Sequence, residues 1–229
     1  MDARVIAVLA GRVRTFPEGG PDGRPWRSAI DKRSVLTPAR VTVEGIEGDA
    51  QADRRYHGGP DRALLAYAAE HLPRWSDELG RADLGPGSFG ENLTVSGLDE
   101  ATACIGDELR IGTAVVQVSQ PRIPCVKLAR RLGTPDLVAR TLRTARTGFY
   151  LRVLEEGDVG PGPIELLSRG APSLTVARAL AALQDPSADP AFLEELRGCF
   201  ALSEDFRAAL VKAADRAART RLARPAQAP

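Results

Sequence analysis

The sequence has few of the side chains that carry out amine and imidazole chemistry. Only three of its 31 basic residues are lysines, Lys32, Lys127 and Lys212, and only two residues are histidines, His57 and His71. An arginine cannot form a Schiff base, so covalent chemistry on carbonyl ligands has few possible sites here. The histidines and cysteines also lack the C-x-x-C and H-x-x-x-H spacings of a closed zinc site. A structural zinc centre is therefore disfavoured.

Cysteine is scarce as well, with single residues at Cys104, Cys125 and Cys199. An odd number of widely spaced cysteines suits a reducing compartment better than a disulfide framework. The first stretch, "MDARVIAVLAGRVRTF", lacks the long apolar segment and cleavage site of a secretory signal, and the sequence has no run of 18 apolar residues. We therefore expect a cytoplasmic protein with reduced thiols and no membrane span.

Strong charge of either sign is also absent, because 31 basic and 30 acidic residues nearly cancel. Neither a basic footprint for a nucleic-acid polymer nor a strongly acidic surface is expected. The 229 residues are 43% hydrophobic, which is enough for one domain with a real core and a smaller appendage. Partners must therefore be inferred from local sites.

Short apolar runs alternate with glycine and proline turns up to about residue 170. These runs are "RVIAVLAG", "ARVTVEGIEGD", "ENLTVSGL", "DELRIGTAVVQVSQ", "GFYLRVLEEGDV" and "GPIELLS". Period-two, β-branched segments at such spacing predict the strands of a closed or strongly curved sheet. The stretch "LRIGTAVVQV" predicts a hairpin that turns at Gly112-Thr113. Residues 1–170 are thus predicted to form a mainly β, barrel-like domain.

Two helices are predicted within this region. The first runs from about Asp61 to Trp75, with Pro60 at its start and Pro73 limiting its end. The second follows Cys125 and covers 126–132.

The chain becomes rich in alanine and leucine after Ser173. Helices are predicted near 174–184, 190–198 and 203–220, with Asp189 and Ser203 as N-caps of the last two. Residues 171–222 are therefore predicted to form a small all-α, three-helix domain. The last residues, 223–229, are predicted to be a disordered tail.

Ionisable residues crowd the segment "EGDAQADRRYHGGPDRALLAY". They are Asp49, Asp53, Arg54, Arg55, His57, Asp61 and Arg62. A solvated surface loop would explain this composition. A Gly58-Gly59 turn that opens onto a helix would instead direct backbone N–H groups toward an anion, with arginines nearby as charged donors. Spacing alone supports an anion site and a solvated loop about equally.

The segment "GPGSFGENLTVSG" places three glycines before a strand. These glycines are sufficiently explained by turns. They would also let a flat ligand approach the backbone, with Glu91 and Asn92 presenting an acid and an amide at the start of the strand.

Cys125 lies in "QPRIPCVKLA", where Pro121 and Pro124 stiffen the loop on either side of Arg122. Arg122 and Lys127 favour the thiolate, which a metal ligand or a nucleophile requires. By contrast, Cys104 has apolar neighbours and Cys199 lies in the helical part. A lone cysteine is most often structural, so the residues alone leave its role open.

Four segments in a fixed order resemble the MOSC domain family, named for the C-terminal region of molybdenum cofactor sulfurase. They are "GDAQADRRYHGGPDRALLAY", "GSFGENLTVSGL", "CIGDELRIGTAVVQVSQPRIPCVKLA" and "RTGFYLRVLEEGDV". The resemblance is strongest to the bacterial branch associated with resistance to N-hydroxylated base analogues, which carries a three-helix C-terminal extension. It spans about Val5 to Leu222.

The resemblance implies a barrel-like domain that binds the molybdenum cofactor, a pterin dithiolene that carries a phosphate. A cysteine is then the protein ligand to molybdenum, and the matching position is Cys125. A thiolate is a soft ligand that suits such a centre. The residues expected to hold the anionic cofactor are Lys32, Arg54, Gly58, Gly59, Arg62, Arg122 and Arg146. Tyr150 is a further candidate.

In this interpretation Asn92 and His57 orient the substrate or the cofactor. One of three acids, Asp49, Asp53 or Glu91, relays protons, and the sequence does not choose among them.

The implied reaction is the reduction of N-hydroxylated compounds, such as N-hydroxylated purine bases, to amines. The sequence shows neither a dinucleotide-binding G-x-G-x-x-G nor a haem C-x-x-C-H motif, so electrons are expected from a separate reductase, a flavoprotein. The three-helix part could dock that reductase or form a homodimer contact. The alternatives are a sulfur carrier with a Cys125 persulfide and a cofactor carrier or storage protein. Pyridoxal phosphate, also linked to the family, needs a lysine, and only Lys32 and Lys127 lie among the motifs.

Overall fold

The structure is a computed structural model that describes residues 2–18, 23–53 and 58–223. The described strands are β1 Arg4–Ala10, β2 Arg14–Phe16, β3 Trp26–Ser28, β4 Arg33–Ser34, β5 Ala39–Thr42, β6 Gly45–Ile46, β7 Leu64–Ala68, β8 Leu93–Ser96, β9 Glu108–Ile111, β10 Ala114–Pro121, β11 Phe149–Glu155, β12 Gly157–Val159 and β13 Gly162–Ser168. The described helices are α1 His71–Leu79, α2 Val126–Leu132, α3 Leu137–Thr144, α4 Val176–Gln184, α5 Pro190–Gly198 and α6 Glu204–Ala223.

Seven of these strands form a closed barrel in the order β13-β9-β10-β11-β7-β8-β1, and pairing of β1 with β13 closes the ring. The neighbours are antiparallel except β7 and β8, which run parallel. Closure leaves these strands without an open edge. The mainly β, barrel-like fold is therefore confirmed, and so is the hairpin at Gly112-Thr113, where Ile111 pairs with Ala114.

The helix predicted from Asp61 to Trp75 is wrong. This stretch contains a 3₁₀ turn at Pro60–Arg62, then β7, and then α1. Every residue of β7 is buried, because Leu64 and Ala66 pack in the barrel core while Tyr67 packs in a second cluster with Trp75 of α1 and Leu128 of α2. With both faces covered, its apolar run is continuous and lacks the alternation of a half-exposed strand. Pro73 lies in the first turn of α1, where its missing N–H breaks no helical hydrogen bond.

Two helices connect β10 to β11 at one end of the barrel. Helix α2 covers the predicted residues, whereas α3 was not predicted. Cys125 is the residue directly before α2, and the helix ends at Gly133 in a left-handed conformation. This connection places Cys125 and Arg122 just beyond the end of β10.

The C-terminal helices confirm the predicted three-helix segment. The side chain of Asp189 caps α5 by accepting a hydrogen bond from the Phe192 amide at 3.0 Å, and Ser203 caps α6 through the Phe206 amide at 3.1 Å. The division into domains at residue 170 stays a prediction. The tail from residue 224 onward lies outside the described residues.

The helices pack directly on the barrel. Buried Val176, Leu196 and Phe206 belong to the same hydrophobic cluster as Val118 of β10. Ser203 also donates a buried hydrogen bond of 2.6 Å from Oγ to Oε1 of Gln120. Among the described helices, none is long and apolar enough to cross a lipid bilayer.

Candidate functional site

One cavity brings together seven of the predicted site residues, which are Lys32, Asp49, Arg62, Asn92, Arg122, Cys125 and Tyr150. It has about 680 Å³ of empty space, part of which is open to solvent. Its described lining residues are Ser28, Ala29, Ile30, Lys32, Asp49, Ala50, Gln51, Ala52, Arg62, Leu65, Gly90, Asn92, Arg122, Ile123, Cys125, Lys127 and Tyr150. This mixture of apolar and polar lining groups is typical of a small-molecule site.

The first group of lining side chains, which we call the thiol cluster, consists of Arg62, Arg122, Cys125, Lys127 and Tyr150. Burial is the main cause that raises the pKa of Tyr150, while Arg122 and Arg62 lower it and the Cys125 thiolate raises it. These opposing influences place the phenol close to both guanidinium groups and to the thiol. The cluster thus combines three cations with one soft sulfur donor.

Arg122 is the buried cation of the thiol cluster, with 5% of its surface exposed. Its backbone N–H donates to the carbonyl of Gly148 at 3.0 Å, and its Nη1 lies 3.4 Å from the carbonyl oxygen of Thr147. Within the described ranges, neither Arg122 nor Lys127 has a carboxylate at ion-pair distance. A buried guanidinium without a carboxylate is costly, because it has lost water without gaining an opposite charge.

Arg62 differs from Arg122 because it has an acidic partner. Its Nη2 lies 3.0 Å from Oδ2 of Asp205 in the first turn of α6, and the Asp205 side chain is 70% exposed. The C-terminal helix therefore contacts a cavity-lining residue of the barrel.

The second group, which we call the amine cluster, consists of Lys32, Asp49 and Asn92. Lys32 Nζ donates to both carboxylate oxygens of Asp49 at 2.5 Å, and the two side chains are 8% and 3% exposed. Burial lowers the pKa of Lys32, while the charges of Asp49 and Glu91 raise it. The positive charge of Lys32 is thus balanced within the protein.

Asn92 completes this cluster. Its Nδ2 donates to Asp49 Oδ2 at 2.9 Å and to the carbonyl of Leu9 at 3.2 Å, and its Oδ1 accepts from the Leu65 amide at 3.2 Å. The Asn92 side chain therefore connects the amine cluster to the barrel strands β1 and β7.

Glu91 lies next to this cluster but is not among the lining residues. Its carboxylate accepts hydrogen bonds from Gly87 N at 2.6 Å, from Phe89 N at 3.1 Å and from Thr94 Oγ1 at 2.8 Å. Burial raises the pKa of this carboxyl, although each of these hydrogen bonds lowers it. The structure thus places Glu91 as the residue that holds the glycine-rich loop.

Steric crowding explains why that loop needs a glycine at position 87. Gly87 has a positive φ of 88°, and a Cβ there would lie 2.7 Å from the carbonyl oxygen of Lys32. The loop therefore packs closely against the backbone of the lysine that lines the cavity.

The predicted anion loop is only partly described. Arg54 and His57 lie outside the described residues. Asp53, Gly58 and Gly59 are described but do not line the cavity. The Gly58-Gly59 turn precedes a three-residue 3₁₀ turn and β7, so no helix N-terminus follows it.

Arg146 lies away from the cavity. Its Nη2 is 2.5 Å from Oε1 of Glu78, and its guanidinium lies 4.0 Å from the centre of the Trp75 ring. His71 is buried and hydrogen-bonds through Nε2 to Glu100 at 2.7 Å.

The cysteines are placed differently. Cys125 is half-buried and lines the cavity, Cys104 is buried and Cys199 is half-buried at the end of α5.

The segment Ser28–Ile30 and the partner Asp205 were not predicted, because no motif marks them and Asp205 is distant from Arg62 in the sequence. Among the described residues, no group of three or more His, Cys, Asp or Glu could hold a metal ion, so a metal here would have few protein ligands.

A model of the MOSC domain matches residues 53–163. Three of the matching known proteins differ in the extent of the match. YflK of Bacillus subtilis (strain 168) is 46% identical over 213 residues, 93% of this chain and 95% of YflK. The crystal structure of YiiM from Geobacillus stearothermophilus has a TM-score of 0.77 and 34% identity, and the match covers 92% of this chain and 98% of that chain. A protein named reductase from Gibberella moniliformis (strain M3125 / FGSC 7600) is 36% identical over 176 residues, 75% of this chain but 30% of that longer protein.

Proposed function

Because this chain belongs to the MOSC domain family, we propose that its cavity binds the molybdenum cofactor and that the protein reduces N-hydroxylated compounds to amines. The name of the fungal relative agrees with an oxidoreductase activity. The finer assignment depends on the residues of the cavity.

The observation that carries the proposal is the pairing of Cys125 with buried, uncompensated positive charge. Arg122 lines the same cavity as Cys125 and has no carboxylate partner within the described ranges. Buried charges in proteins are normally paired, so this arrangement calls for an anionic ligand. The molybdenum cofactor is anionic through its phosphate and also offers a metal for a thiolate.

The residues present fit this group. Arg122, Arg62 and Lys127 would bind its negative charges, and Cys125 would supply a soft thiolate ligand. When bound, the cofactor supplies the two-electron chemistry. The half-buried position of Cys125 keeps the thiol accessible from the cavity while shielding it from bulk water.

The overall reaction needs electrons that this chain does not generate. Reduction of R–NHOH by two electrons and two protons breaks the N–O bond and gives R–NH₂ and water. The sequence contains no dinucleotide or haem motif, so we assign the electron supply to a separate reductase, a flavoprotein. A partner of this kind would dock close enough to the cavity for electron transfer.

The test compares Cys125→Ser with Cys199→Ser, both produced in cells that synthesise the cofactor and receive molybdate. A serine hydroxyl is a harder and much weaker ligand, so Cys125→Ser should lose molybdenum and all turnover of N-hydroxylaminopurine with a reduced dye. Its pterin content should fall less, because the cations still bind the phosphate. Cys199→Ser should keep all three properties.

Full turnover by Cys125→Ser would overturn the proposal. So would a parent protein that binds pterin but reduces no N-hydroxylated compound. A Cys125 persulfide that passes its sulfur to an acceptor would, in that case, favour the sulfur-carrier alternative.

A further inference from the structure

The amine cluster differs from a site that waits for an anion, because its charge is already balanced. Lys32 faces both oxygens of Asp49 at 2.5 Å, and both side chains are almost fully buried. An ammonium group that is paired in this way attracts a phosphate much less than Arg122 does. Lys32 is therefore poorly suited to the cofactor-binding role that the sequence suggests.

Asp49 is also poorly suited to carry a proton. Its Oδ1 accepts from the Gly11 amide at 2.7 Å, its Oδ2 accepts from Asn92 Nδ2 at 2.9 Å, and both oxygens accept from Lys32. These hydrogen bonds all stabilise the charged carboxylate. Among the described lining residues Asp49 is the only carboxylate, so an acid relay through Asp or Glu has no other member there.

Lys32 keeps a donor that this network does not use. An ammonium group has three N–H bonds, and the two contacts to Asp49 account for two of them. Lys32 lines the cavity that contains Cys125, so its third N–H is available to a bound ligand. Asp49 and Asn92 hold the amine in place, and the barrel strands hold Asn92.

Cleavage of the N–O bond requires a proton on the departing oxygen. In R–NHOH + 2e⁻ + 2H⁺ → R–NH₂ + H₂O, an external reductant supplies the electrons, one proton goes to the oxygen and one to the nitrogen. We propose that Lys32 Nζ donates the proton that the departing oxygen receives, with Asp49 and Asn92 as positioning residues. Solvent then reprotonates the Lys32 side chain. This assignment rests on the proposed function.

Tyr150 is the competing proton donor in the cavity. Burial raises the pKa of its phenol, which makes it a weaker acid, whereas burial lowers the pKa of Lys32, which makes the ammonium a stronger one. The geometry and these directions agree in favouring the lysine.

The first experiment compares Lys32→Arg, Lys32→Met and the exposed control Lys212→Met in cofactor-loaded protein. An arginine keeps the positive charge beside Asp49 but does not release its proton near neutral pH. Both Lys32 variants should keep their molybdenum and pterin contents and lose roughly 100-fold or more in dye-coupled turnover of N-hydroxylaminopurine. Lys212→Met should match the parent protein in all three measurements.

The second experiment measures Lys32 directly, without cofactor or substrate. Because the chain has only three lysines, ¹³C,¹⁵N-lysine NMR gives three side-chain signals, which Lys127→Arg and Lys212→Arg assign. The Lys32 signal should titrate below the ordinary value of 10.5, since burial lowers its pKa. Asp49→Asn should lower it further, because Asp49 and Glu91 are the carboxylates that raise it, whereas Arg→Lys at exposed Arg216 should not move it.

The outcomes separate this assignment from the proposed function. Full turnover by Lys32→Arg, or loss of pterin from folded Lys32→Arg, would overturn the assignment while the parent protein still supports the function. A Lys32 signal that titrates at or above 10.5 would also overturn it. A parent protein without turnover would overturn the function, and the proton-donor role with it, whatever the NMR shows.

Discussion

The amine and thiol clusters line one cavity but handle buried charge in different ways. In the amine cluster, the ammonium of Lys32 has its counter-ion, Asp49, at 2.5 Å and is complete without a ligand. In the thiol cluster, Arg122 is buried without a carboxylate among the described residues. Removing a charge should therefore be most harmful to folding in the first cluster and most harmful to ligand binding in the second.

The largest effect on folding is expected for Asp49→Asn. This change leaves the Lys32 ammonium buried without its counter-ion, so the free energy of unfolding at pH 7 should fall by about 3 kcal/mol. The double variant Lys32→Met/Asp49→Asn should recover much of this loss. Urea unfolding at constant m value measures both changes.

The same variant has a defined pH dependence. Without Asp49, burial holds the pKa of Lys32 in the folded state further below its ordinary value of 10.5. At a pH between this lowered pKa and 10.5, the unfolded state binds more protons than the folded state. The unfolding free energy of the variant therefore rises with pH in that window, and its deficit should shrink as the pH approaches 10.5. Asp136→Asn, in an exposed ion pair with Arg140, is the control and should lose much less stability than Asp49→Asn.

Arg122→Met should impair ligand binding and not folding, the reverse of what is expected for Asp49→Asn. Loss of the guanidinium removes charge-assisted hydrogen bonds to the ligand, so the pterin affinity should fall by about 10- to 100-fold. The ligand-free protein should become more stable by about 1 kcal/mol, because a buried charge without a carboxylate has been removed. Pterin content and urea unfolding of cofactor-free protein check the two parts.

The control for Arg122→Met is Arg146→Met. Arg146 is equally buried but is paired with Glu78 and stacked on Trp75, outside the cavity. Its loss should lower stability and leave pterin affinity unchanged. A reversed result, with Arg146→Met abolishing pterin binding, would show that the cofactor lies elsewhere.

The smallest effect is expected for Asp205→Asn. It removes the exposed partner of Arg62, and exposed ion pairs contribute less than about 1 kcal/mol. Pterin content should rise only slightly, because Arg62 loses a competing carboxylate, and the rise should vanish at high salt, where exposed charges are screened. Glu204→Gln, which removes the neighbouring partner of Arg207, is the matched control. A loss of pterin as large as that in Arg122→Met would contradict this ranking.

Local signals in the sequence were sufficient for several elements. The hairpin at Gly112-Thr113 and the caps at Asp189 and Ser203 depend on a few neighbouring residues, and they form as predicted. Strand β7 could not be recognised in the same way. Its continuous burial comes from the barrel core on one face and from α1 and α2 on the other, and much of this cover is distant in the sequence.

The same distinction between local signals and contacts of distant segments applies to the candidate site. The sequence indicated Cys125, Arg122, Lys32, Asp49 and Asn92 separately, and the cavity contains all of them. It could not show that Asp49 neutralises Lys32, because that pairing depends on how the barrel brings two segments together. Without knowledge of that pairing, the sequence assigns Lys32 to anion binding and Asp49 to proton relay.

The buried hydrogen bond between Ser203 and Gln120 has a mechanical consequence. It ties the start of the last helix to the end of strand β10, two residues before Arg122 and five before Cys125. Nearby, Asp205 of the same helix contacts Arg62. A displacement of the start of that helix would therefore move groups at the edge of the cavity through only two contacts.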